Sequence, residues 1–300
     1  MTSVGSILGG AFGQIRDRPL AVLVWTLIYT AALAATMVAM RPFMDVDGAA
    51  LAAEDPEALA QMGQMMSLVF LSQFFLLAVM AILFSAAMRA TLQPHDEGFA
   101  WLRLGMDELY VVVLTIVLTV LFFIFYVAAA IVIVISVALG AVFAGVVGVG
   151  IFVVVGVAAF VLATIWFQVR FSLAFPLTLI RGKLVLGESW IVTKGHFWTL
   201  FVAYFVLGLL LLTLFVAVST LTMAPYLEAW RDSGFSMEGL QAASDAEMAA
   251  QREGISAAML LGWALSGLVG GLSIALGGGA MGAAARDLAQ DSRALAEKFA

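Results

Sequence analysis

Two histidines and three neighbouring carboxylates are the residues whose types and spacing invite a chemical reading. His95 sits in Pro94-His95-Asp96-Glu97, and His196 follows Glu188 and Lys194. A histidine held against a carboxylate can move protons or ligate a metal near neutral pH. That chemistry requires the side chains to converge, and nothing in this spacing demands it. The helical H-E-x-x-H signature is absent. With no cysteine, thiol catalysis, disulfides and zinc–thiolate sites are excluded. No serine–histidine pair falls at membrane depth. Gly145, Gly148 and Gly150 mimic a phosphate loop in spacing, but their surroundings are apolar and hold no lysine. The expected reading is therefore one loop histidine and one helix-end histidine, with no catalytic constellation, cofactor or metal.

The elements that would position any such site are membrane elements. Of 300 residues, 64% are hydrophobic and 11% charged, and the mean hydropathy is +1.09. Soluble domains run at about 45–50% apolar and about 25% charged. The excess must face lipid, which excludes a soluble enzyme and a disordered chain. A net charge of −6 gives no footprint for nucleic acid.

A spanning helix needs about 20 mostly apolar residues. Six such runs are predicted, at about 20–40, 66–88, 110–138, 146–170, 197–223 and 255–283, all in one integral-membrane domain covering residues 1–300. The first is read as a retained span, because its apolar run exceeds the 7–15 residues of a secretory signal. Tyr110 to Phe167 contains no charge, and glycines from Gly140 to Gly150 mark where this stretch folds into two spans. Spans four and six are rich in small residues, Gly278 and Gly282 forming a GxxxG pair, so both are expected at the packed centre.

Basic residues set the orientation. With the N-terminus inside, the inner segments carry eleven of the fourteen Lys and Arg residues; only Arg41, Arg231 and Arg252 lie outside, in loops that are otherwise acidic. Both termini are expected in the cytoplasm, with the chain in a bacterial inner membrane. Asp55-Pro56-Glu57 reads as a helix start, and Ser244-x-x-Glu247 as a capping box before span six.

The spans pair into three pseudo-repeated hairpins. Each is preceded by a short amphipathic segment (about 3–17, 98–108 and 183–194) marked by Leu8, Phe12 and Ile15, by Leu102, Met106 and Leu109, and by Leu186, Trp190 and Thr193. Each even span ends in arginine: Arg89, Arg170 and Arg286. Segments of this kind lie in the headgroup boundary. Phe12, Trp101, Trp190 and Trp198 are accordingly expected at headgroup depth, with Arg89, Arg170, Arg181 and Lys183 facing anionic headgroups. Pro176 should end span four near Phe175, after which the chain turns along the inner surface.

The stretch Ser189-Trp190-Ile191-Val192-Thr193-Lys194-Gly195-His196-Phe197-Trp198-Thr199-Leu200-Phe201, with Ile7-Leu8-Gly9-Gly10-Ala11-Phe12, Arg16 and Pro19, resembles a group of bacterial six-span proteins. That group includes the membrane domain attached to some glycerophosphodiester phosphodiesterases, and stand-alone relatives. His196 stands where asparagine is more usual, and no phosphodiesterase stretch accompanies these spans. The resemblance implies a fold and a location, and carries over no catalytic residue.

The leading expectation is a non-catalytic accessory protein that organises lipids or a membrane partner, or associates with its own copies. One alternative is a transporter or channel subunit with a path between hairpins, although the spans hold almost no ionisable residue. A weaker one is an enzyme acting on lipid.

Overall fold

Ser3 starts the first helix: its hydroxyl accepts the Ser6 N–H at 3.1 Å, while the Ser6 hydroxyl accepts the Ser3 N–H at 3.1 Å. The helix, α1 (Val4–Asp17), stops at Arg18, and Pro19 opens α2 (Pro19–Met40), the first span. α1 buries Ile7, Ala11 and Gln14 against the bundle, the stripe beside the expected Leu8–Phe12–Ile15 face. Phe12 is 45% exposed on the outer side.

The structure, a computed structural model, describes residues 2–41, 56–93, 98–103, 105–244 and 254–299. Its elements are helical, and six helices are long and apolar enough to cross a membrane, making the chain an all-α polytopic membrane protein. After α2 come α3 (Pro56–Leu92), a single 3-10 turn (Phe99–Trp101), α4 (Met106–Phe171), α5 (Ala174–Arg181), α6 (Leu186–Val192), α7 (Phe197–Asp232) and α8 (Ala257–Phe299). The expected start at Asp55 and the box ending at Glu247 fall outside the described residues.

α4 holds spans three and four in one element of 66 residues, broken at Gly145 (φ 58°, ψ −148°). A side chain at that backbone angle is strained, so glycine permits the reversal. The two arms fold back on each other: Phe125 stacks on Phe160 at 5.9 Å, and Gly140 lies against Phe152 and Gly148. Gly145→Ala is expected to cost about 1–2 kcal/mol in thermal unfolding.

α8 is the centre of the bundle and packs on α1, α2, α3 and α7. Its small residues let neighbouring backbones close in: Gly278 and Gly282 face Ala87, Met88 and Thr91 of α3, and Gly279 faces Gly10 and Ala11 of α1. Trp25, Leu83, Ala87 and Ile274 form one fully buried layer, and Ile7, Ala11, Leu200, Leu276 and Ala280 another. Span four does not share this centre, contrary to expectation. Only 6% of its most apolar stretch is buried, against 28% in span six. Its glycines serve the hairpin itself, as Gly156 does against Ile133.

Two leading segments also differ from expectation. Residues 98–108 do not form one amphipathic helix. Gly98, Leu102 and Gly105 are extended, and α4 begins only at Met106. Glu108 supplies the start signal, its carboxylate accepting the Gly105 N–H at 2.9 Å. Tertiary bonds hold the irregular turn, with Trp25 Nε1 donating to the Ala100 carbonyl at 3.0 Å. In the third segment the helix is short, Leu186–Val192, and the preceding stretch forms α5. Pro176 sits in the first turn of α5, where its missing N–H breaks no helical bond. Gly182 (φ 60°) ends α5, its N–H bonded to the Thr178 carbonyl at 2.9 Å.

Candidate functional site

Because six spans alternate in direction, the starts of the odd spans and the ends of the even spans share one face of the bundle. Arg18, Arg89, Arg170, Lys194 and Arg286 therefore lie on that face. Their chemistry differs from residue to residue.

Arg89 does not face headgroups. It is 5% exposed and pairs with Glu108 at 2.5 Å, with side-chain exposures of 6% and 5%. The contact is ionic by distance. Arg89 Nη1 also donates to the Trp101 carbonyl at 3.4 Å. The arginine thus clamps the end of span two onto the start of span three. Arg170 makes the equivalent contact one hairpin later, Nη1 donating to the Trp190 carbonyl at 3.4 Å. Its guanidinium also lies 5.5 Å from the Trp190 ring and 5.7 Å from the Trp166 ring. The Ser189 hydroxyl donates back to the Arg170 carbonyl at 2.8 Å. Both of these span-ending arginines thus reach the carbonyl of a tryptophan in the segment that follows, Trp101 for Arg89 and Trp190 for Arg170.

The other expected interface residues are more open. Trp198 is 72% exposed, and Lys183 and Lys194 are exposed. Arg181 is exposed and pairs with Glu188 at 3.3 Å. Trp190 is half-buried in a cluster with Trp166, Phe167 and Phe171. Trp101 is half-buried beneath the Arg18 guanidinium, 4.6 Å from its ring. His196 stands at the position before α7 without a side-chain cap bond, its Nδ1 buried and unpartnered. His95, Asp96 and Glu97 lie outside the described residues. Among the described residues no group of three or more His, Asp or Glu side chains is placed to hold a metal ion.

A cavity of about 350 Å³ opens on this same face between α1, the end of α3 and α8. Its wall combines glycines (Gly9, Gly10, Gly13) with Ser6, Gln14, Asp17, Arg18, Thr91 and Arg286. Gln14 is 2% exposed; its Nε2 donates to the Ala87 carbonyl at 2.5 Å and to Thr91 Oγ1 at 2.6 Å. Its Oε1 is buried with no partner. Arg18 donates through Nη1 to the Ala90 carbonyl. Burial lowers the Arg18 pKa from its usual value, and the neighbouring Asp17 carboxylate acts to raise it.

No family model matches the chain, and no curated protein or solved structure matches it. The functional reading therefore rests on this face alone.

Sequence reasoning missed Glu108, Gln14, Asp17 and Thr91. Glu108 carried a readable signal: it lies three residues after Gly105, the spacing of a helix start, and beside a span end that carries Arg89. Gln14 and Asp17 carried a weaker one, as polar residues beside the Gly9–Gly13 pair on α1.

Proposed function

We propose that this chain is a non-catalytic accessory protein of a bacterial cytoplasmic membrane, with both termini in the cytoplasm. Its basic face organises lipids, or a membrane partner, at the membrane surface. The observation that carries this reading is the company kept on that face. Lys183 and Lys194 are exposed between spans four and five, Trp198 is exposed at the start of span five, and Phe12 is exposed on α1. Aromatic rings favour the headgroup level, and cations near an anionic surface contribute about 1 kcal/mol each. The eleven-to-three bias of basic residues supports the orientation.

The test is native mass spectrometry of the full chain extracted in mild detergent. Anionic phospholipids are expected to remain bound. The double variant Lys183→Gln/Lys194→Gln should retain them roughly ten-fold or more less well, following about 1 kcal/mol per cation. Wild-type protein that carries no phospholipid would refute the reading.

A further inference from the structure

The cavity between α1, α3 and α8 has a mixed polarity that a basic rim alone does not explain. On one side stands Arg286, with Asp287 at 3.8 Å. On another stands the carboxylate of Asp17, with Gln14 behind it in the wall. The wall presents a carboxylate, Asp17, as well as the guanidiniums of Arg18 and Arg286. It suits a ligand with a hydrogen-bond-donating cation at one end and an anion at the other. The volume is within the range of small-molecule sites, about 300–1,000 Å³. The mouth lies at the level where spans one, two and six begin or end, which is headgroup depth.

We infer that this cavity binds the phosphoethanolamine headgroup of a zwitterionic aminophospholipid, its ammonium donating to the Asp17 carboxylate and its phosphate meeting Arg286. The inference rests on the reading that this face lies in the membrane surface, and it names the lipid for one site. Gly9 lines the mouth. A Cβ there would meet no atom within 4 Å, so glycine leaves the mouth open. The primary ammonium matters because a quaternary one has no N–H for the Asp17 carboxylate.

The experiment is native mass spectrometry of the full chain in detergent, titrated separately with dioleoyl phosphatidylethanolamine, phosphatidylcholine, phosphatidylglycerol and free phosphoethanolamine. Phosphatidylethanolamine should bind at least ten-fold more tightly than phosphatidylcholine. Asp17→Asn should remove that preference while leaving phosphatidylglycerol retention unchanged. Gly9→Leu, which fills open space without a backbone clash, should lose the phosphatidylethanolamine adduct in a protein that stays monodisperse. Equal binding of phosphatidylethanolamine and phosphatidylcholine overturns the inference, as does an Asp17→Asn variant that behaves like wild type. Free phosphoethanolamine displacing the lipid at equal concentration overturns the lipid source. Preference for phosphatidylglycerol alone overturns this inference and leaves the broader lipid reading standing; retention of no lipid by any form ends both.

Discussion

Gly279→Leu is expected to abolish recovery of folded protein, and Gly279→Ala to lower stability by about 2 kcal/mol or more. Added side-chain volume at a closed helix crossing forces backbone shifts that typically cost about 1–3 kcal/mol, occasionally more. A Cβ at position 279 would lie 2.7 Å from the Gly10 carbonyl oxygen, 2.8 Å from Gln14 Cγ and 3.0 Å from Ala11 Cα. Two of these are backbone atoms, which cannot swing aside. The helices would have to separate, opening the layer that holds Ile7, Ala11 and Ala280. In an exposed helix the same change to alanine would gain about 0.5–1 kcal/mol through propensity, so the sign itself is informative. Gly262→Ala is the control, since its Cβ would meet only Thr222 Cγ2, at 3.9 Å. Thermal unfolding followed with size-exclusion profiles in detergent separates the two. Equal midpoints for the two alanine variants would show that α1 and α8 do not approach closely.

Glu108→Ala is expected to destabilise by about 3–5 kcal/mol, because it leaves the Arg89 guanidinium buried and unpaired. It also removes the acceptor of the Gly105 N–H at the start of α4. Replacing both partners, as Arg89→Met with Glu108→Leu, should recover most of the loss, since no charge is then stranded. The exposed pair Arg181–Glu188 sets the scale. With side chains 56% and 39% exposed, it should contribute about 0–1 kcal/mol when either partner is removed. Chemical or thermal unfolding of the four variants measures the coupling. If Glu108→Ala unfolds no earlier than Glu188→Ala, the pair does not clamp spans two and three together.

The six spans were legible because lipid exposure demands long apolar runs, and Gly145 was legible as a turn within a charge-free stretch. The clamp residues were not. Arginine at a span end reads as a headgroup contact, and only the fold reveals that Glu108, nineteen positions later, curls back to meet Arg89. The irregular turn at Phe99–Trp101 was hidden for a similar reason: its apolar spacing fits a helix, while bonds from Trp25 and Arg89 hold it open. The place of span four was misread because small residues signal close packing without naming the partner. Gly140, Gly148 and Gly156 pack within one hairpin, whereas Gly278, Gly279 and Gly282 pack between elements distant in sequence. The cavity was illegible for the same reason, since Asp17, Thr91 and Arg286 come together only through α8.

The joint between α1 and α8 also sets a timetable. Gly10 and Gly279 are separated by nearly the whole chain. At about 5–20 residues per second, a ribosome needs roughly 15–50 s to pass from one to the other. Throughout that interval Ile7 and Ala11 lack the α8 side of their layer, although Gln14 can already bond Ala87 and Thr91 of α3, and α2 and α3 stand in the bilayer without the helix that packs on both. The core of this bundle is therefore assembled by the last span to emerge, and a chain truncated before Ala257 would retain the first five spans yet lack the helix that joins them.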